Sequence, residues 1–246
     1  ELNEIKRIGT NVLFWVGTVL LAMLFLASGA PYIETLLRTQ YCAEGIGWVE
    51  GFRYCTTNEN GLLFLPICVP IAAGACAETE LRTRYALFYC SRTGKKQYYM
   101  KKVLESALPG GLMVCFAEIL VLLGVYIGLQ NITSYTEEIR TGVIVGMILL
   151  SLVRGFLNGF FWAGVGSMTA VLTRNHYLAY AMPFVLYYVL TLFQSRYYPK
   201  LYFLSPRYWA APVYYGNLFC IMVLFGLCIG CACGLILAVK RRLDYV

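Results

Sequence analysis

The residues able to do chemistry are few. Arg92-Thr93-Gly94-Lys95-Lys96 has a superficial likeness to a phosphate-binding loop. Such a loop needs a glycine five residues before the Gly-Lys pair and a Ser or Thr after it. Here Tyr89 and Lys96 occupy those positions, so no nucleotide site is expected in this chain. His176 is the single histidine, which excludes the usual His-rich metal site. Neither a Gly-x-Ser-x-Gly elbow nor a His-Glu-x-x-His helix occurs, and no pair of aspartates lies in an apolar run, which argues against a hydrolase or protease. Cys228-x-x-Cys231-x-Cys233 has a metal-like or redox-like spacing, but it lies in a long apolar run where small polarizable side chains read as helix packing. No catalytic residue and no metal ligand are therefore expected. Two charges remain that an apolar environment should not tolerate, Glu118 and Arg154, with Asn158 one turn from the latter.

Those charges have meaning only through the elements that hold them. With 59% hydrophobic and 13% charged residues and a mean hydropathy of +0.65, the chain is read as an all-α integral membrane protein, one transmembrane domain over 1–246. Apolar runs at about 12–30, 61–77, 103–129, 142–172, 178–194 and 217–239 predict six transmembrane helices. The first is long enough to act as an anchor rather than a cleaved signal. Pro66 and Pro70 make the second run the weakest helix, and the fourth is long enough to be tilted, kinked or broken near Gly155 and Gly159. Pro109, Gly110 and Gly111 predict a bend in the third, and Pro183 one in the fifth.

The net charge of +7 does not imply a nucleic-acid partner, because Lys and Arg gather at the ends of apolar runs. Thirteen lie on the side of the N-terminus and six on the other, so the termini are expected in the cytoplasm. Seven of the thirteen (Arg82, Arg84, Arg92, Lys95, Lys96, Lys101, Lys102) crowd the loop 78–102. Within it Leu81, Tyr85, Phe88 and Tyr89 share one face of a helix, predicting a basic amphipathic helix at the membrane surface, and Thr93-Gly94 predicts a turn before the next span.

Six spans, a short amphipathic start (Glu1 to Arg7) and a basic helix between spans two and three make the chain resemble a permease of ABC-2 type exporters. Glu78 and Glu80 at the end of span two, the helix Leu81 to Tyr89, then Ser91-Arg92 and the Lys95 to Lys102 lead carry the resemblance. Where that family often has Pro before the basic turn, this chain has Cys90-Ser91. The resemblance implies that Glu78, Glu80, Leu81, Arg82, Arg84, Tyr85, Phe88, Tyr89 and Arg92 form a coupling helix seated in a separate cytoplasmic ATPase subunit. Two such subunits would hold ATP and Mg, this chain would carry no cofactor, and a second copy would complete a homodimer among membrane lipids. A compact permease resembles exporters of amphipathic peptides, bacteriocins or drugs, in a bacterial plasma membrane. The alternative is a non-transporting scaffold or assembly factor whose basic loop binds lipid or a partner; an intramembrane enzyme ranks third.

Glu118 and Arg154 each lie about twelve residues inward from the outer loop between spans three and four, roughly 18 Å down at 1.5 Å per residue. They are expected to pair, or to share a wet cavity with Asn158, either as a structural lock or as the lining of a cargo route. Gly226, Gly230 and Gly234 form a small-residue helix face suited to close packing against this chain or another copy. The aromatic outer segment 195–216 is expected as an interfacial cap, or as a cargo-contact surface. In the outer loop 31–60, Cys42 and Cys55 enclose about fourteen residues on the oxidising face. A disulfide between them would contribute on the order of 3 kcal/mol. Both thiols should resist an impermeant maleimide until the protein is reduced; labelling of both without reductant would exclude the bridge.

Overall fold

The computed structural model describes residues 9, 11–39, 46–73, 76–83, 85–132 and 141–243. Glu1 to Arg7, Cys42, Arg84, Glu137, Glu138 and Arg140 lie outside the described residues. The described chain is all helix: α1 (Val12–Thr39), α2 (Gly47–Thr57), α3 (Glu59–Leu62), α4 (Leu65–Ala73), α5 (Cys76–Arg82), α6 (Tyr85–Thr93), α7 (Lys95–Leu129), α8 (Thr141–Thr173) and α9 (Tyr177–Tyr197). A 3-10 turn (Tyr202–Leu204), α10 (Arg207–Ala210) and α11 (Asn217–Leu243) follow. Five of these, α1, α7, α8, α9 and α11, are long and apolar enough to cross a bilayer. In lipid only the helix satisfies every backbone group within one segment, so uninterrupted apolar runs of this length are read as rods.

Helix boundaries follow from local chemistry. Asn11 Oδ1 accepts from the Leu13 N–H (3.0 Å) at the start of α1, and Asn175 Oδ1 accepts from the Tyr177 N–H (3.0 Å) at the start of α9. Gly94 takes φ +86° between α6 and α7, a conformation available to glycine at little cost, and so forms the turn expected there. Arg174 ends α8 with φ +59°.

The expected second span is not a single rod. Between Glu59 and Arg82 the chain breaks into α3, α4 and α5, with Leu63 and Phe64 in a turn and Pro70 inside α4. Two prolines within nine residues remove ladder donors, which limits continuous helix there. Other runs are longer than expected: α1 continues through Pro31 to Thr39, and α7 starts at Lys95, so the last third of the basic loop is the first two turns of that helix. Pro109 and Pro183 sit inside uninterrupted helices, and α8 is uninterrupted past Gly155 and Gly159. The C-terminal end of α1 is packed by α2: Tyr32 stacks on Tyr54 with centroids 4.3 Å apart and donates to Glu50. Cys55 is buried in this joint against Gly29 and has no disulfide partner among the described residues.

At the centre stands α8, packed on α4, α7, α9 and α11. Its crossing with α7 brings backbone to backbone. A Cβ on Gly110 would lie 2.7 Å from the Gly159 carbonyl oxygen and 2.5 Å from Ala163 Cβ, and one on Gly111 would meet the Phe156 carbonyl oxygen at 2.9 Å. Glycines here act as the small residues that let membrane helices approach closely. Gly226 and Gly230 on α11 play no such part among the described residues, since a Cβ on either meets nothing within 4 Å; a Cβ on Gly234 would lie 2.7 Å from Met168 Sδ. Gly159→Val should therefore force α7 and α8 apart and destabilise by at least the 1–3 kcal/mol or so typical of overpacking. Gly226→Val should leave the melting temperature of the purified protein within a degree or two. Thermal unfolding in detergent separates the two, and equal effects would contradict this packing.

Candidate functional site

The basic loop folds into a joint at the end of the bundle where α7 begins and α8 and α11 end. Leu81 (α5), Ala86, Tyr89 and Cys90 (α6), Tyr98 and Val103 (α7), Val171 (α8) and Leu235, Ala238 and Val239 (α11) form a second apolar cluster beside the main core. Around it runs a ring of charge. Lys102, only 3% exposed, pairs with Glu80 at 2.6 Å and with Glu105, which also meets Lys101 at 3.4 Å. Buried Glu78 lies 3.7 Å from Arg242, whose other guanidinium nitrogen donates to the Val171 carbonyl at 3.3 Å. Thus α5 is tied by Glu80 to α7 and by Glu78 to the end of α11, and Arg242 ties α11 in turn to α8.

The other side of this segment faces out. Arg82, Arg92, Lys95 and Lys96 are exposed, and among them Phe88 is 73% exposed. The expected single face of Leu81, Tyr85, Phe88 and Tyr89 does not form. The helix stops at Arg82 and restarts at Tyr85, so Leu81 turns into the core while Phe88 points away from it. Tyr89 is half-buried beneath the Lys101 ammonium, 4.6 Å from its ring centroid; the side chain of Tyr85 lies outside the described set. Burial raises the Cys90 thiol pKa, against the opposing pull of Lys95, so this cysteine is held protonated.

A second site lies in the bundle interior. Glu118, Arg154 and Asn158 line one small cavity with Ser151 and Thr56, and Ala210 of α10 adds to its wall. All three are buried, at 4%, 5% and 3% exposure. The Glu118 carboxylate lies against Gly155, where a Cβ would be 2.8 Å from Oε2. Arg154 does not meet Glu118 in a direct ion pair among the described residues; its guanidinium donates to Asn217 Oδ1 at the start of α11. Shared lining of a cavity is thus the arrangement found, and Asn217 is a partner that a count along spans three and four could not supply.

In the segment after α9, Tyr197, Tyr198, Phe203 and Tyr214 are exposed while Trp209 is buried. Trp162 packs on Tyr187, ten residues and so about 15 Å back from the end of α9 at Tyr197, and Trp209 stacks on the same Trp162 with centroids 6.4 Å apart. The chain therefore turns back into the bundle. Trp209 also meets Phe161 edge-on at 5.7 Å, and its indole N–H donates to the Phe203 carbonyl at 2.5 Å. A buried home for one large indole outweighs the general preference of aromatics for an interface. Arg207, two residues earlier, pairs with Glu59 at 2.8 Å.

No protein-family model matches this chain, and no characterised protein matches its sequence. The cysteines of α11 differ in their surroundings. The Cys228 thiol donates to the Leu157 carbonyl at 3.2 Å, Cys231 lies against Gly164, and Cys233 is exposed. His176 stacks on Tyr177. Among the described residues no three His, Cys, Asp or Glu side chains converge.

Sequence reasoning treated Lys102 as a topology charge. Its spacing to Glu105, three residues on, was the available signal of a helix-face pair. Removing a buried cation from between two carboxylates is costly. Lys102→Met should destabilise by about 3–5 kcal/mol, against about 0.3–0.5 kcal/mol for Arg38→Ala, whose pair with Glu34 is exposed. Denaturation midpoints of the two variants in the same detergent check this; similar small losses would mean that Lys102 is solvated in its joint.

Proposed function

We propose that this chain is the permease subunit of an ABC-2 type exporter, with six crossings formed by the five long helices and the broken α3–α5 run, in a bacterial plasma membrane. The observation that carries the proposal is the two-sided character of α5 and α6. One side is bound by Glu78, Glu80 and Leu81 to α7 and α11, while Phe88 is exposed, as are Arg82 before it and Arg92, Lys95 and Lys96 after it in the chain. A segment built this way can receive force on its outer side and pass it to membrane helices through ion pairs and apolar contacts. The partner is a separate cytoplasmic ATPase, present in two copies, that binds ATP and Mg and offers an apolar slot with acidic surroundings to Phe88, Arg82 and Arg92.

ATP binding would draw the two ATPase subunits together and shift α5–α6. Through Glu80 and Lys102 that shift loads the base of α7, and through Arg242 it loads α11. The cavity around Glu118, Arg154 and Asn158 is then the closed middle of the cargo route, and the inward-turned segment with Ala210 is its outer stopper, latched by Arg207 and Glu59. An amphipathic or hydrophobic cargo, peptide or drug-like, suits walls that are apolar except for this polar patch. Gly226 and Gly230, uncovered within the chain, offer a second copy a face for close helix contact.

The competing reading is a scaffold whose basic side lies on anionic headgroups, which an exposed Phe among cations also fits. One experiment divides the two. Purified with its genomic neighbours, the chain should retain an ATPase, and Phe88→Asp with Arg82→Glu should abolish retention or cargo-stimulated hydrolysis at least tenfold while membrane insertion is unchanged. Binding to anionic vesicles without any retained ATPase, lost in the same variant, would favour the scaffold.

A further inference from the structure

The interior cavity has a polar pattern that the packing does not satisfy. Glu118 Oε2, Arg154 Nε and Asn158 Oδ1 are all buried, and none has a hydrogen-bond partner. Each leaves one requirement: two acceptors need donors, and one N–H needs an acceptor. Burying such groups unpaired costs about 1–3 kcal/mol each, more where they are charged, so three together in one place is an arrangement that packing alone does not stabilise.

A direct rearrangement does not resolve the pattern. Gly155 lets the Glu118 carboxylate lie against the α8 backbone, and the far end of Arg154 is committed to Asn217 on α11. As placed, Glu118 Oε2 and Asn158 Oδ1 are both acceptors, so these two atoms do not serve each other. What fits is a small group with two donors and at least one acceptor. The cavity they line has room for about one water molecule.

We propose that this cavity is a binding site for a single internal water, which donates to Glu118 Oε2 and Asn158 Oδ1 and accepts from the Arg154 Nε–H. Water alone among common small species has this complement at this size. Ammonium has no acceptor, and a halide or an alkali cation would leave either the acceptors or the donor unserved. The bridged assembly joins α7 to α8, and Arg154 extends it to α11, so three long helices meet in one hydrogen-bonded unit without direct contact between the opposite charges. Such waters ordinarily make two to four hydrogen bonds to otherwise unsatisfied groups. The site does not depend on the transport reading; a scaffold with this interior would hold the same water.

The test is a structure of the full chain in lipid nanodiscs at a resolution that shows ordered water, together with infrared spectra in ordinary and oxygen-18 water. One density peak within about 2.6–3.2 Å of all three atoms is expected, with an isotope-sensitive water band that disappears in Asn158→Leu. Asn158→Asp keeps an acceptor and should keep both peak and band, and it serves in place of the leucine variant if that one does not fold. Direct contact between Glu118 and Arg154 with no peak between them would overturn the proposal. Persistence of the band in Asn158→Leu would do so as well.

Discussion

The crossing of α7 over α8 at Gly110 and Gly159 is the constraint on which the other features rest. Lipid offers no hydrophobic drive for two helices to associate, so their attraction must come from close van der Waals contact and polar links. Close approach at the glycines sets how far apart the helices can be a few turns away in either direction. Two turns outward on α7, Glu118 can press on the α8 backbone only because Gly155 leaves space and the two helices have not yet diverged. Toward the start of α7, the same proximity lets Val103 on α7 and Val171 on α8 enter one apolar cluster with α11.

Each end of this crossing solves a different electrostatic problem. At the base, charges are brought out of water in matched sets, two carboxylates around Lys102 and one beside Arg242. Their Coulomb attraction offsets part of the desolvation cost, and breaking any set leaves an uncompensated charge. In the interior, Glu118 and Arg154 line one cavity, yet Glu118 lies against Gly155 and Arg154 donates to Asn217. The base is thus held by direct ion pairs, whereas the polar interior has no direct bond between Glu118 and Arg154.

Much of this was legible from residue order because it depends on properties of single helices. The five long rods follow from the length of apolar runs, the turn at Gly94 from a glycine between basic segments, and the meeting of Glu118, Arg154 and Asn158 from counting rise per residue on two antiparallel spans. What escaped depends on how helices meet. Helical periodicity places Leu81 and Phe88 on one face only if the helix between them is continuous, and it is not. The two glycine patterns look alike in sequence, yet one forms the central crossing and the other touches little but Met168, a difference set by neighbours rather than by spacing. Trp209 looked interfacial by residue type, and its place beside Trp162 is a matter of tertiary fit.

The inward turn of the Trp209 segment bears on the order of assembly. Its docking surface is Phe161 and Trp162 on α8 with Tyr187 on α9, both synthesised earlier, and its return strand leads into α11, synthesised later. The tryptophan brings its own hydrogen-bond acceptor, Phe203, from the same loop, so it enters the apolar interior without waiting for a partner from elsewhere. The loop can therefore settle as a self-contained wedge between helices already inserted, and the arrival of α11, with the Cys220 thiol reaching the Tyr208 carbonyl, pins it from the remaining side. The loop's contacts are then complete only once α11 is in place.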